Sequence, residues 1–528
     1  MRPIRLVQGF LTVGVWTMAS RVMGFLRDIL IAAFLGTGPV AEAFLIAFSL
    51  PNMFRRFFAE GAFNMAFVPM FSKKLEGDEG AAAFARDAFV GLGTVLLIFS
   101  VLAIVFMPAL VFAMASGFVG DTRFDLAVLY GRIAFIYILF ISLAALVSGV
   151  LNATGRFAAA AAAPVLLNVI LVAMLALAES GLVSGLSLAP EVAPGVDGRH
   201  FGDLLIIGVV LAGAAQLAML LAAASRAGYR FRPRWPRLTP ELKRLAIIAA
   251  PAALAGGVVQ VNLVIGRQVA SWFDGAVAWL AYADRLYQLP LGVVGIAIGV
   301  VLLPDLSRRL QADDVTGSRN AFNRAAEMAL ALTVPASIAL CVIPGPVVSV
   351  LFERGAFDTN DASATALAVA VYGAGLPAFV LQKVLQPLYF AREDTRTPFY
   401  FALAAMLMNA IVAVGLAPII GYIAAALGTT VAGWAMAILL WRGTRSMGAA
   451  ATFDARFRAR VLRIVFASGI MGAGLLVTAR VLSPWLQAGP ERYAALALLI
   501  LAGLAIYAVA GLALRAFALS DIRGALRR

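Results

Sequence analysis

Apolar windows of about 20 residues or more recur from one end of this chain to the other, separated by short segments rich in Gly, Pro and charge. A run of that length crosses the hydrocarbon core of a bilayer as an α-helix. Because lipid offers no hydrogen bonds to the backbone, the helix is the form that satisfies such a segment internally. Fourteen windows can be drawn: 10–35, 41–71, 84–115, 126–151, 160–178, 203–225, 241–272, 277–306, 325–351, 363–390, 398–418, 422–441, 461–482 and 493–514. Composition removes the soluble alternative, since 62% of the 528 residues are hydrophobic and 13% charged, against about a quarter charged in soluble domains. Arg2 and Arg5 ahead of an apolar run outline a secretory signal, but Arg21 and Arg27 fall within a continuing apolar pattern and mark a retained first span. The expected fold class is an all-α polytopic membrane protein of about 14 transmembrane helices.

The formal net charge is +14, from 42 Lys and Arg against 28 Asp and Glu. No hydrophilic stretch is long enough to hold a nucleic-acid-binding domain, and the basic excess follows the connections instead. The termini and segments 73–86, 156, 226–244, 308–324, 392–396 and 442–463 hold 29 of the 42 basic residues. The alternate connections hold Arg123, Arg199, Arg354 and Arg492. Positive-inside bias then places both termini, and the loops around Arg232 and Arg456, in the cytoplasm, in agreement with an even number of spans. With Cys341 and His200 the sole residues of their types, disulfide frameworks, Cys/His metal clusters and His-based triads are not expected, and no cofactor is implied. His200 is expected as a solvated loop side chain.

Two internal echoes point to a duplication. Val68-Pro69-Met70-Phe71-Ser72-Lys73-Lys74-Leu75 reappears as Leu303-Pro304-Asp305-Leu306-Ser307-Arg308-Arg309-Leu310. Leu151-Asn152-Ala153, followed by Pro164 and Asn168, has a counterpart in Tyr389-Phe390-Ala391, followed by Pro398 and Asn409. A unit of six helices, being even, repeats in the same orientation, which predicts two parallel-repeat six-helix lobes about an axis along the membrane normal. The expected divisions are 1–225, 226–445 with its basic entry loop, and 446–528 for two further helices and a tail.

Charge inside a membrane is costly and by default functional. The first two windows concentrate Arg21, Arg27, Asp28, Glu42, Arg55, Arg56 and Glu60. Arg21 and Arg27 lie on one broad helical face about 9 Å apart along the axis, and Gly24 between them admits close approach. Pro51-Asn52 favours a helix break ahead of Arg55 and Arg56. Arg56 with Glu60, and Arg27 with Asp28 or Glu42, are candidate neutralised pairs, whereas Arg21 and Arg55 have no acid nearby in sequence. In the second half, Asp284 and Arg285 precede Pro290, while Arg132, Arg267, Lys383 and Arg480 read as snorkelling side chains. Guanidinium groups converging on a cavity suit phosphate or carboxylate recognition, so the cargo is expected to be an anion. No GxxxxGK[ST] segment is present, so ATP is not the energy source.

Ser20-Arg21-Val22-Met23-Gly24-Phe25-Leu26-Arg27-Asp28, Leu50-Pro51-Asn52-Met53-Phe54-Arg55-Arg56, Phe58-Ala59-Glu60-Gly61-Ala62-Phe63 and Tyr282-Ala283-Asp284-Arg285-Leu286 closely resemble the signature of the MurJ (MviN) lipid II flippases. The resemblance implies the multidrug/oligosaccharidyl-lipid/polysaccharide exporter fold, with two lobes around a central cavity and two C-terminal helices forming a groove for a lipid tail. It implies Arg21, Arg27, Arg55 and Arg285 as the cavity arginines, and Glu42 where the family usually has Asp. With Gly24, Asp28, Arg56, Glu60 and Asp284 these make up the expected substrate-binding set. The implied cargo is lipid II, the undecaprenyl-diphosphate-linked peptidoglycan precursor, moved from the inner to the outer leaflet of the cytoplasmic membrane in cell-wall synthesis. The implied partners are that precursor, membrane lipids and, functionally, the wall synthases; the chain is expected to be a monomer, not an enzyme, and to bind no nucleic acid.

Three other readings compete. A flippase for another polyprenyl-diphosphate glycan, of O-antigen type, would use the same charge logic. A multidrug/cation antiporter of the same fold wants cavity carboxylates rather than arginines, and a scaffold or lipid-dependent enzyme would need a nucleophile, base or metal constellation that is not seen. For the driving force, some relatives take a cation on helices 7 and 11. Here Gln260, Asn262, Asn409 and Ala413 fill that region without an acid, so Asn262 and Asn409 are expected to hydrogen-bond between helices and membrane potential to matter more than sodium.

Overall fold

The computed structural model describes residues 6–56, 62–77, 80–183, 187–231, 234–487 and 489–517. Among them the regular secondary structure is helical, with one isolated bridge between Arg354 and Phe357. Ten helical segments among the described residues are long and apolar enough to cross a membrane.

The first of two compact units comprises residues 1–278 and 354–357. Its helices are α1 (Leu6–Leu35), α2 (Pro39–Arg55), α3 (Ala62–Glu76), α4 (Ala81–Val105), α5 (Met107–Met114), α6 (Thr122–Ala134), α7 (Tyr137–Ala153), α8 (Phe157–Glu179), α9 (Arg199–Arg226) and α10 (Pro240–Ser271). The second holds α11 (Ala276–Gln311) from Trp279 onward, α12 (Val315–Val342), α13 (Pro344–Phe352), α14 (Thr359–Phe390), α15 (Arg396–Ile420), α16 (Ile423–Gly443), α17 (Ala455–Leu486) and α18 (Glu491–Ala513).

Each apolar window falls on one of these helices or on a consecutive pair. Where a window divides, the sequence supplies a reason in two cases: α5 and α13 each open with proline in the first turn, whose missing N–H is no loss there. Polar starts are set by side-chain caps, from Asp121 on α6, Thr239 on α10, Asp314 on α12, and a reciprocal Asp358–Asp361 box on α14.

The break expected at Pro51 does not occur there. The helix α2 runs through Pro51 to Arg55, and the Asn52 side-chain amide donates to the Phe48 carbonyl at 2.8 Å, adding a polar contact in the turn that the ring disturbs. Both copies of the first echo end helices: Pro69 lies inside α3 with Lys73 and Lys74 in its last turn, and Pro304 lies inside α11 with Arg308 and Arg309 in its last turn.

Packing in the first unit brings Phe54, Phe99 and Phe135 together at centroid separations of 5.1–5.7 Å. One end is closed by main chain: the Ala356 N–H donates to the Ala33 carbonyl at 2.8 Å. Gly355 has φ +58°, and a Cβ there would lie 2.2 Å from that same oxygen, so no other residue fits. In the second unit, Phe322, Leu306, Val384, Leu388 and Leu440 form a buried core, while Met471, Leu475, Leu496 and Leu499 join α17 to α18.

Helices α15 and α16 approach closely at Gly428, where a Cβ would stand 2.5 Å from Asn409 Oδ1 and 2.9 Å from its carbonyl oxygen. Gly428→Val should therefore lower the thermal stability of the detergent-solubilised chain by about 1–3 kcal/mol, the usual cost of overpacking. Gly415→Ala, with no atom within 4 Å of the new carbon, is the control. Equal melting temperatures for the two variants would show that the helices do not meet there.

Candidate functional site

Along α1 the apolar pattern is broken by Arg21, Arg27 and Asp28, and the helix α8 packs beside it. Arg27 and Asp28 are both buried. The Arg27 guanidinium donates from Nε and NH2 to Asp28 Oδ1 at 3.0 and 2.7 Å, and from NH1 to Asn168 Oδ1 at 2.8 Å. Asn168, itself buried in α8, returns its amide to the Ser20 carbonyl at 3.0 Å, one residue before Arg21. Gly24 lies against the same amide, with room for a Cβ only at 3.4 Å from Nδ2. Thus Gly24, Arg27 and Asp28 are brought together, and Asn168 is the residue that joins them. Arg21 stands half-buried beside this network.

The acid that pairs with Arg27 is its neighbour Asp28 and not Glu42. Glu42, in the first turn of α2, is fully buried and takes Arg123 NH1 at 3.0 Å and the Val277 N–H at 2.9 Å. Arg123, which the sequence places among the connections, is buried at the start of α6 and also bonds Asp121 and Asp274. Arg55, at the end of α2, is half-buried and Arg56 is exposed. Glu60, with Arg232 and both extreme termini, lies outside the described residues. His200, also expected in a loop, is in the first turn of α9 and rests on Phe201 with centroids 4.1 Å apart. Its neighbour Arg199 is buried and forks onto the carbonyls of Leu188, Ala189, Val192 and Ala193.

In the second unit Arg285 is exposed on α11 and Asp284 half-buried, the latter accepting from Gln288. One residue before Gln288, Tyr287 lies against Tyr372 and Phe379 at 5.0 and 5.6 Å. Lys383 is exposed, as are Arg132 and Arg480. Within the first unit, guanidinium forks are thus held by carboxylates and amides inside a largely apolar helical frame, and a guanidinium fork is the side chain suited to bidentate oxyanion recognition.

The profile described as "Lipid II flippase MurJ" matches residues 31–489. The chain belongs to the lipid II flippase MurJ family. A "Probable lipid II flippase MurJ" of Rhizobium meliloti (strain 1021) is 45% identical over 535 residues, covering 99% of this chain and 96% of that protein. One of the same description from Rhizobium tropici is 41% identical, covering 94% and 92%. Among solved structures, one titled "Lipid II flippase MurJ, inward closed conformation" superposes with a TM-score of 0.75 at 24% identity, covering 98% of this chain and all of that one. That last likeness establishes the shared fold.

Sequence reasoning missed Arg123 as a partner of Glu42, and it saw Asn168 only as a repeat marker. Both contacts are long-range, 81 and 141 residues apart; the available signal was a polar residue, Asn168, in the middle of an apolar window. Because the Arg27–Asp28 pair is buried, Asp28→Asn should cost about 3 kcal/mol or more of stability by stranding the guanidinium. Replacing both residues by Leu should recover part of that loss. Thermal melts of the single and double variants test this, and losses that simply add would show that the two groups are not coupled.

Proposed function

We propose that this chain carries lipid II from the inner to the outer leaflet of the cytoplasmic membrane by alternating access, with its diphosphate met by arginines. Family membership over residues 31–489 carries the cargo, and the concentration of arginines within apolar helices supports an anion-binding path. In this reading Arg21, Arg55 and Arg285 are the direct ligands, Arg27 joins them or orients the first helix through Asp28 and Asn168, and residues 1–225 and 226–445 are the two transport lobes, with 446–528 an added lipid-facing pair. The termini face the cytoplasm, the location is the inner membrane, and the unit of transport is the monomer, serving the wall synthases.

The charge of the empty arginine cluster supplies a drive: moving one elementary charge through 100 mV is worth about 2.3 kcal/mol, enough to bias its return toward the cytoplasm-facing form. Membrane potential is therefore proposed to matter more than sodium. In energised vesicles with potential and sodium set independently, lipid II movement should fall when the potential is collapsed and persist without sodium. The opposite pattern would remove this drive.

Two further experiments decide the site and the orientation. Arg21→Ala, Arg55→Ala and Arg285→Ala should each abolish complementation of a depleted strain while inserting normally, with Lys rescuing only in part because it lacks the planar fork. Full activity of all three Ala variants would sink the assignment. In a Cys341→Ser background, single cysteines at the exposed positions Ser187 and Thr359 should react with an impermeant thiol reagent in intact cells, and one at Ser446 should not. The reverse pattern would refute the orientation.

A further inference from the structure

Arg123 is the centre of a network that the transport reading leaves without a task. Its side chain is 7% exposed and that of Glu42 is 1% exposed, whereas Asp121 is 38% and Asp274 93% exposed. Each guanidinium nitrogen is engaged: Nε with Asp121 at 2.7 Å, NH1 with Glu42 at 3.0 Å, and NH2 with both Asp121 at 2.7 Å and Asp274 at 2.8 Å. The Phe118 ring backs the guanidinium at 4.7 Å. The second oxygen of Glu42 takes the backbone N–H of Val277 at 2.9 Å. Alongside, Gln268 receives the N–H and hydroxyl of Ser116 at 2.8 Å each, and Ser271 Oγ receives the Gly117 N–H at 3.0 Å.

These bonds divide along a line. Glu42, Asp121 and Arg123 belong to α2 and the start of α6, while Asp274 belongs to the link between α10 and α11 and Val277 to the first turn of α11 that follows it. If the link moves away, the contacts of Arg123 with Asp274 and of Val277 with Glu42 break, the first of them at the solvent. The buried carboxylate leaves with its arginine still attached, so no charge is stranded in an apolar setting when the contact parts. A carboxylate alone in the place of Glu42 would lack that compensation in the closed form.

We propose that Arg123 is a positioning residue of the transport cycle, acting through Glu42 to hold the α10–α11 link against α2 and to let it go without leaving an unpaired buried charge. This rests on the alternating-access reading above, and it gives Glu42 the part of a clasp rather than of a ligand for the lipid headgroup.

The test uses the full chain in detergent, in a Cys341→Ser background with Val277→Cys, which keeps the backbone N–H and places a thiol at a buried position. The reaction rate with a charged maleimide reports opening of the link. Arg123→Ala should raise that rate about tenfold or more, since it removes the Asp274 contact and leaves Glu42 buried without its cation. Arg123→Lys should give an intermediate rise, because an ammonium cannot span three carboxylates as a fork does. Asp274→Asn, at an exposed side chain that cannot threaten the fold, should raise the rate severalfold at an unchanged melting temperature. Lipid II affinity should stay within about twofold of the parent, whereas loss of a headgroup ligand would weaken it by far more. Labelling rates within twofold of the parent in both Arg123→Ala and Asp274→Asn would overturn the proposal. If Arg123→Ala does not fold, Asp274→Asn decides alone. If labelling rises as expected but the parent chain moves no lipid II in vesicles, the clasp stands and the proposed cargo falls.

Discussion

The cost of taking an ionised side chain out of water governs this molecule more than any single packing contact. An isolated charge in a low-dielectric interior is worth several kcal/mol against the fold, so every buried guanidinium or carboxylate described above is found beside its compensation. Arg27 has Asp28 and the Asn168 carbonyl, and Glu42 has Arg123 and a backbone N–H. Glu327, buried in α12, has Arg324 and Arg460, which ties α12 to α17 in the second unit. The same rule ties particular helices together, α2 to α6 through Glu42 and Arg123 and α12 to α17 through Glu327 and Arg460, alongside the apolar cores that pack the rest.

Much of the fold can be read from the apolar periodicity, because a helix is the one local solution for a segment that must satisfy its own backbone. The windows at 160–178, 203–225, 398–418 and 493–514 each coincide with a single helix to within a few residues. What sequence could not provide is the point where a long window divides. Proline opens a helix at Pro344 and in the first turn of α5, inside windows that run undivided in the sequence, whereas at Pro51, where the sequence suggests a break, the helix runs on and Asn52 bonds the preceding turn. The same residue type acts in opposite ways according to whether its missing N–H falls at an end or in the interior.

The site was legible in its residue types and less so in its pairings. A cluster of arginines in apolar helices is visible without coordinates. That Arg27 chooses Asp28 is a local matter, since adjacent residues can meet without help from the fold. That Glu42 chooses Arg123 is not local: it depends on α2 and α6 lying side by side, which no spacing in the sequence specifies. Asn168 is a similar case, since a lone amide in an apolar run signals a hydrogen-bond partner but not which one.

The Gly355 contact with Ala33 has a meaning of its own when set beside the Arg123 network. Peptide groups carry no titratable proton and no net charge, so a seam stitched by Ala356 N–H and the Ala33 carbonyl is indifferent to acidity and ionic strength. The Arg123–Asp274 pair joins two full charges, one of them on a side chain standing in solvent, so dissolved salt screens it. One compact unit thus carries two contacts of unlike character, one deaf to the surrounding electrolyte and one that hears it.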